Sequence, residues 1–327
     1  MINDTMKIEE FLLKCIASPS LASIRQSIKF LQCLGALDQN ESLTLLGKNL
    51  AEMPVDAKYA KMLIYGIILK CLNPVLSIVS ILSMGDQVFV LPIRPADRFK
   101  CHQVRRTLAE NSQSDHFVML KIFNLWTMLR HDRKFCDENF ISSVAMERVK
   151  GIRGQISSYL QSSGLTKAGL SALNVNSDKW SIIKACLCAG LYPNVARIDR
   201  TRKSMYSDID RKLVFHMSSI LSNKERSMDF VKKLPADWVV FEEKNRVGRT
   251  SMIRCNTLIN SFSLSLSAGA NLNSVLEDED DDDWTDEEDD GEGVEEQISF
   301  KIDNLVTFTT GKENGSLVME LRGRLDN

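Results

Sequence analysis

Two groups of basic residues are the features of this 327-residue sequence that could do chemistry, because Lys and Arg side chains hold phosphate groups through charged hydrogen bonds. One group lies within residues 94–106 and the other within residues 197–212. Contacts of this kind bind a nucleic-acid backbone whatever its base sequence. The alternative is that each base is only a solvated surface side chain. The candidate phosphate-binding residues are Arg94, Arg98, Lys100, Arg105, Arg106, Arg197, Arg200, Arg202, Lys203, Arg211 and Lys212.

Motifs for autonomous catalysis are missing from the sequence. A phosphate-binding loop needs Gly-x-x-x-x-Gly-Lys-Ser/Thr, and the Gly-Lys pairs at Gly47 and Gly311 lack both the earlier glycine and the following hydroxyl. The Asp-Glu-Asp-Asp string at 278–281 lies where nearly every residue is acidic, so we expect it by chance. The four histidines have no metal-binding spacing, and His116 is expected to cap a helix or fill the core. Adjacent strand positions put Glu242 and Glu243 on opposite faces, so they form no carboxylate dyad.

The net charge of −2 conceals a strong division along the chain. Residues 277–296 contain fifteen acids and no base, so the other 307 residues hold 41 bases and 28 acids, a formal charge of +13. A basic body of this kind attracts polyanions, and nucleic acid is the first candidate. The acidic segment cannot bury a core and is expected to be a disordered, solvated loop.

Composition also restricts the compartment in which the chain works. Eight cysteines without a Cys-x-x-Cys pair indicate reduced, mostly buried thiols, and therefore an intracellular protein. The longest apolar stretch, residues 62–82, is interrupted by Lys70, Asn73 and Pro74, so no membrane partner is expected. We expect the cytoplasm, with the nucleus as the alternative.

Hydrophobic periodicity changes near Gly164, which predicts an α+β protein in two parts. Up to residue 170 the apolar residues recur at helical spacing, as in Ile24, Ile28 and Leu31. After a further helix over 180–191, short alternating runs predict antiparallel strands at 194–198, 213–216, 238–243, 250–254, 257–266 and 298–308. About five such strands fit a small barrel of the OB-fold type, and a last helix is predicted over 313–325.

Ordered motifs run along nearly the whole chain. They are Leu34-Gly-Ala-Leu-Asp38, Leu43-Thr-Leu-Leu-Gly47, Leu50-Ala-Glu-Met-Pro-Val-Asp56, Cys71-Leu-Asn-Pro-Val-Leu76, Ser114-Asp-His116, Ala189-Gly-Leu-Tyr-Pro-Asn-Val-Ala196, Phe215-His-Met-Ser-Ser219 and Asp237-Trp-Val-Val-Phe-Glu-Glu243. Together these segments resemble the C-terminal region of DEAH/RHA-type (DExH) RNA helicases, after the motor. The later motifs look most similar to the branch formed by the YTH-domain-carrying helicase and the benign gonial cell neoplasm protein.

The resemblance implies three domains and a function for them. They are a partial winged helix over 1–53, a helical ratchet bundle over 54–170, and an OB-fold over 171–327 that carries a disordered acidic insert at 270–297. The module would contact single-stranded RNA beside the motor, and His216, Ser218 and Ser219 match a family segment near the nucleic acid. Met217 stands where the family has proline.

The same resemblance does not determine what the complete protein contains or does. In the family two RecA-like motor domains precede this region, bind ATP and Mg²⁺, and drive 3′→5′ unwinding. This sequence has no motor and no cofactor site of its own, which indicates a fragment, an isoform or a truncated gene model. The alternative function is a protein-interaction adaptor that docks a helicase activator or a translational repressor.

Overall fold

The computed structural model describes residues 7–167, 169–222, 229–248, 250–275, 297–303 and 306–326. A helical part precedes a part that is mainly strands, which confirms the predicted α+β class. No helix in the described ranges is long and apolar enough to cross a membrane. The helices are α1 (Ile8–Leu12), α2 (Leu21–Cys33), α3 (Leu45–Glu52), α4 (Ala57–Ile68), α5 (Leu72–Leu82), α6 (Pro95–Ala109), α7 (Asp115–Met128), α8 (Arg133–Glu138), α9 (Ser143–Ser162), α10 (Trp180–Leu191), α11 (Asp229–Lys232), α12 (Ser261–Ser267) and α13 (Lys312–Asp326).

Local side-chain caps and one proline set the starts of three helices. Ser20 accepts a hydrogen bond from the Ser23 amide at 3.2 Å, and Ser114 accepts one from the Phe117 amide at 3.1 Å. Each hydroxyl satisfies an amide that the first helical turn leaves without a carbonyl partner. Pro95 takes the first position of α6, where its missing amide hydrogen costs nothing.

The helical bundle is built around α5, almost every residue of which is buried. Helices α4, α7, α9 and α10 pack against it, and α10 also touches strand β4 and α12. Gly190 lets α10 approach α4 closely, because a β-carbon there would lie 2.3 Å from the carbonyl oxygen of Lys58. One hydrophobic core therefore continues from the bundle into the strand-rich part.

Five strands close into a barrel in the order β1-β2-β3-β5-β4. The first half of β4 is buried on both faces, because one face fills the barrel and the other packs against α10. The closed five-stranded barrel after a helical bundle confirms the predicted OB-like architecture. The barrel strands are β1 (Val195–Asp199), β2 (Ser204–Tyr206), β3 (Leu213–Phe215), β4 (Trp238–Val247) and β5 (Thr250–Ile259).

The strand predicted over 257–266 is wrong in its second half. Strand β5 ends at Ile259, and α12 follows because Asn260 caps it by accepting a hydrogen bond from the Ser263 amide at 2.9 Å. In residues 261–267 serine alternates with apolar residues, and such alternation also predicts a strand. Packing of α12 between α10 and α13 overrides that local pattern.

A second antiparallel sheet follows, in the order β6-β7-β8, with β6 at Leu272–Val275, β7 at Gln297–Ile302 and β8 at Val306–Gly311. It corrects two predictions: 298–308 is a hairpin rather than one strand, and the acidic insert does not begin at 270. The Asp303 carboxylate accepts hydrogen bonds from the Ala270 and Asn271 amides, which fixes the start of β6. The remainder of the predicted insert, residues 276–296 with the 278–281 string, lies outside the described residues.

Candidate nucleic-acid interface

Helix α6 carries the first basic group, and three of its five members are exposed along its start. They are Arg94, Arg98 and Lys100. The Arg98 guanidinium donates to the Pro92 carbonyl oxygen at 2.8 Å, which fixes the chain just before the helix. The beginning of α6 therefore presents positive charge to solvent.

Arg105 and Arg106 lie at the other end of α6 and hold the segment 216–222 of the barrel. Arg105 donates to the Ser218 carbonyl oxygen at 3.3 Å and stacks on the Phe89 ring at 4.3 Å. Arg106 donates to the Ser222 carbonyl oxygen at 2.7 Å and to that of Ile220 at 3.3 Å. These two guanidinium groups position the segment, so part of their hydrogen-bonding capacity is already used within the protein.

A buried carboxylate, that of Asp115 in the first turn of α7, holds the inner side of segment 216–222. Its oxygens accept hydrogen bonds from the Ser219 hydroxyl at 2.6 Å, the Ile220 amide at 2.8 Å and the Asn256 amide at 2.8 Å. Burial raises the pKa of Asp115, and the three hydrogen bonds oppose that rise. The predicted contact residue Ser219 is itself buried and faces Asp115.

His216 and Ser218 remain at the surface of this segment. The Ser218 amide donates to His216 Nδ1 at 3.2 Å, and the Ser218 hydroxyl lies 2.8 Å from the same nitrogen. Both residues are half-buried. The local turn therefore orients the imidazole, with Nδ1 as the acceptor.

The strand register separates the second basic group into two sets. The pairing Asp199↔Ser204 puts the β1–β2 turn, with Arg200, Arg202 and Lys203, at the barrel end where β4 begins. Parallel pairing of β3 with β5 brings segment 216–222 to that same end. Arg211 and Lys212 lie in the β2–β3 turn, at the opposite end.

Surface ion pairs engage part of this charge. Arg200 binds the Asp237 carboxylate and donates to the Leu234 and Ala236 carbonyl oxygens at 3.0 Å each. Arg202 lies 3.6 Å from Asp199. These contacts tie the β1–β2 turn to the loop before β4.

A groove of about 700 Å³ opens between this barrel face and β8. Cross-strand pairing aligns Tyr206, Arg197 and Trp238 side by side, and the Arg197 guanidinium lies 5.7 Å from the Trp238 ring centroid. Arg197 is exposed and has no carboxylate within ion-pair distance among the described residues. The groove lining comprises Arg197, Ile198, Asp199, Arg200, Thr201, Arg202, Tyr206, Asp237, Trp238, Ser261, Thr307, Phe308 and Thr309.

Sequence reasoning found the arginines of this groove and missed its aromatic walls. Alternation along β4 predicts Trp238 as a strand residue, and the structure buries it in the core at 6% exposure, although it also lines the groove. Phe308 reaches the groove because 298–308 folds back as a hairpin, and that fold was not predicted. The sequence could not show that the two sheets, which are far apart along the chain, lie side by side and line one groove.

The groups considered for catalysis are structural. His116 is fully buried, and burial lowers its pKa to about 3. Glu242 is buried and binds Lys58 and Tyr59 of α4, whereas the exposed Glu243 lies 3.8 Å from Arg254. Within the described ranges, no cluster of three or more His, Cys, Asp and Glu side chains is placed to hold a metal ion.

Comparison with known families assigns three consecutive domains to the chain. Residues 27–55 match the winged-helix part of the helicase-associated domain (HA2), and residues 56–119 match its ratchet-like part. Residues 183–271 match the oligonucleotide/oligosaccharide-binding (OB) fold. The chain thus comprises the C-terminal helicase-associated and OB-fold module of DExH helicases, which confirms the resemblance in the sequence.

Curated relatives agree with this assignment. The chain is 31% identical over 334 residues to the human ATP-dependent DNA/RNA helicase DHX36, covering 98% of this chain and 30% of that protein. It is 30% identical over 326 residues to the Arabidopsis thaliana DExH-box ATP-dependent RNA helicase DExH1, with the same two coverages. The Drosophila melanogaster protein benign gonial cell neoplasm is 31% identical over 268 residues, covering 76% of this chain and 21% of that protein. The chain therefore spans less than a third of the relatives it matches.

Proposed function

We propose that this module binds the backbone of single-stranded RNA beside a helicase motor. The observation that carries the proposal is the groove between the barrel and β8, which combines three arginines with aromatic side chains and hydroxyl groups. Single-stranded nucleic acid is bound by cations that hold phosphates and by aromatic faces that stack bases of any identity. In this groove the half-buried Tyr206 and Phe308 would supply the aromatic faces, because Trp238 is only 6% exposed. The exposed bases at the start of α6 would extend the contact.

Salt dependence gives the expected size of this interaction. Each phosphate neutralised on a single strand contributes about −0.7 to the slope of log K against log salt. If Arg197, Arg200 and Arg202 each meet one phosphate, the slope is about −2, and affinity falls roughly 20-fold between 50 and 200 mM salt. Arg200 and Arg202 are already paired with carboxylates, so each should contribute less than Arg197 to RNA affinity and to its salt dependence.

Fluorescence anisotropy with a labelled single-stranded RNA across a salt series tests the proposal. Arg197→Gln should weaken binding at 50 mM salt and make the slope shallower by about 0.7. Arg133→Gln is the matched control, because Arg133 is an exposed arginine on α8, outside the groove. Absence of binding at low salt, or equal slopes for the wild type and Arg197→Gln, would overturn the proposal.

For the complete protein we propose ATP-dependent 3′→5′ unwinding by RecA-like motor domains that hold ATP and Mg²⁺. Support comes from the relatives, whose names describe ATP-dependent helicases. The sequence of this chain contains no phosphate-binding loop, so the activity would belong to the motor. We propose that the protein works inside the cell, in the cytoplasm with the nucleus as the alternative, and its eight cysteines without a Cys-x-x-Cys pair support an intracellular setting.

A second candidate function is a protein-interaction adaptor, and exposed apolar side chains favour it. Leu91 and Ile93 before α6 are 67% and 90% exposed, and Met217 in the segment held by α6 is 72% exposed. Leu91 and Ile93 are two positions apart in the chain, and exposed apolar side chains that form a patch are typical of protein contacts. A helicase activator or a translational repressor would be the partner. Failure of the RNA titration at low salt, with the protein folded, would favour this function.

A further inference from the structure

A separate pocket of about 230 Å³ lies in the bundle, between the start of α5 and the middle of α9. Leu72 and Leu76 form its apolar wall on the α5 side. Asn73 of α5 and Arg153 and Ser157 of α9 contribute its polar groups. Arg153 and Ser157 are four residues apart, so they share one face of α9.

Arg153 carries a charge in this pocket without a counter-charge. No carboxylate of the described residues lies within ion-pair distance of it, and desolvation lowers its pKa. Its Nε donates to the Ser77 hydroxyl at 3.2 Å, and one Nη donates to the Asn73 side-chain oxygen. A guanidinium has five N–H groups, so three keep no protein acceptor among the described residues. A partly desolvated cation is stabilised when an anion joins it.

We propose that this pocket binds a small oxyanion, a phosphate or a carboxylate group. The remaining guanidinium N–H groups, the Ser157 hydroxyl and the Asn73 amide supply donors, and the fixed charge within the pocket is positive. That set matches an oxyanion and disfavours a cation. The leucine wall accommodates an apolar stem next to the anionic group. The site is separate from the barrel groove, so the inference does not depend on RNA binding.

Thermal unfolding in inorganic phosphate tests this inference, with sodium chloride added to keep ionic strength constant. Ligand at ten times its dissociation constant should raise the melting temperature by roughly 3 °C. A parallel series in acetate separates the sources: a shift in both salts assigns a general oxyanion site, and a shift in phosphate alone assigns a phosphate site. No shift in either salt for the wild type would overturn the inference.

Variants locate the binding site. Ser157→Leu fills the pocket from α9 and leaves both hydrogen bonds of Arg153 in place, so the shift should be lost while RNA affinity stays unchanged. Arg153→Gln should also lose the shift, and if it fails to fold, Ser157→Leu decides. Arg148→Gln removes an exposed charge from the same helix and should keep the full shift. A wild-type shift in Ser157→Leu would show that the anion binds elsewhere.

Discussion

His116 should make the stability of this module fall in mild acid. Its ring is fully buried in the first turn of α7, with Nδ1 2.7 Å from the Thr257 hydroxyl oxygen and Nε2 without a hydrogen-bond partner among the residues that the structure describes. Burial disfavours the imidazolium and lowers the pKa to about 3. The unfolded chain therefore takes up a proton near pH 6.5, and the folded chain does so only near pH 3. Stability from this residue is complete above pH 6.5 and is lost as the pH falls toward 3.

The magnitude follows from the proton linkage. At pH 5.0 the unfolded histidine is 1.5 pH units below its ordinary pKa of 6.5, and each unit corresponds to about 1.36 kcal/mol. Lowering the pH from 7.5 to 5.0 should thus cost about 2 kcal/mol through His116. The adjacent Asp115 has the opposite sign, because its raised pKa adds stability as the pH falls. A difference between two proteins that both contain Asp115 removes that contribution.

Urea unfolding at the two pH values, followed by tryptophan fluorescence, measures the effect. His116→Asn replaces the ring with an amide that can still bond Thr257 and does not titrate. The pH-induced loss of unfolding free energy should be about 2 kcal/mol smaller in this variant. Equal losses in the two proteins would refute the reasoning, because they would mean that His116 is protonated in the folded state as easily as in water.

Three other changes give direct tests. Asp115→Asn should lower the unfolding free energy by about 3 kcal/mol in urea, because an amide cannot accept all three hydrogen bonds; a loss below 1 kcal/mol would contradict this. Gly190→Ala should destabilise by about 1–3 kcal/mol in thermal unfolding, since its β-carbon would meet the Lys58 carbonyl, whereas Gly151→Ala has open space and should stabilise slightly. An acidic segment that occupies the basic groove would compete with RNA, so deleting residues 277–296, which removes fifteen acids, should tighten RNA binding at low salt; unchanged affinity would contradict this competition.

Local patterns explain which parts of the fold were predictable. The bundle helices and barrel strands follow from apolar periodicity and capping residues, all of which act within a few positions. Helix α12 was missed because Phe262 and Leu264 alternate with serines, while its helical state depends on α10, some 70 residues earlier. The second sheet was missed for the same reason, since β6 pairs with β7 across 21 residues of mostly acidic composition.

The sequence predicts which types of residue form the candidate site, but it does not predict what each of these residues does. Clusters of Arg and Lys are visible in the sequence. The backbone carbonyl oxygens to which some of these side chains donate are not. Arg105 and Ser218 are 113 residues apart, so no local pattern shows that one holds the other. Burial of Ser219 against Asp115 is likewise a long-range contact. Charge thus indicates which residues can bind phosphate, and the fold decides which of them are still available.

Contacts between bundle and barrel determine how an RNA strand would meet the two basic surfaces. Asp115 holds segment 216–222, the Ser114 hydroxyl lies 2.5 Å from that of Thr257 on β5, and Glu242 on β4 binds α4. These contacts join two helices, α4 and α7, to the two long strands β4 and β5. The barrel therefore cannot rotate relative to the bundle about one contact alone. Because the other two contacts survive in Asp115→Asn, that variant should lose stability without releasing the barrel. Its salt slope for RNA should then match the wild type, since the groove arginines keep their positions.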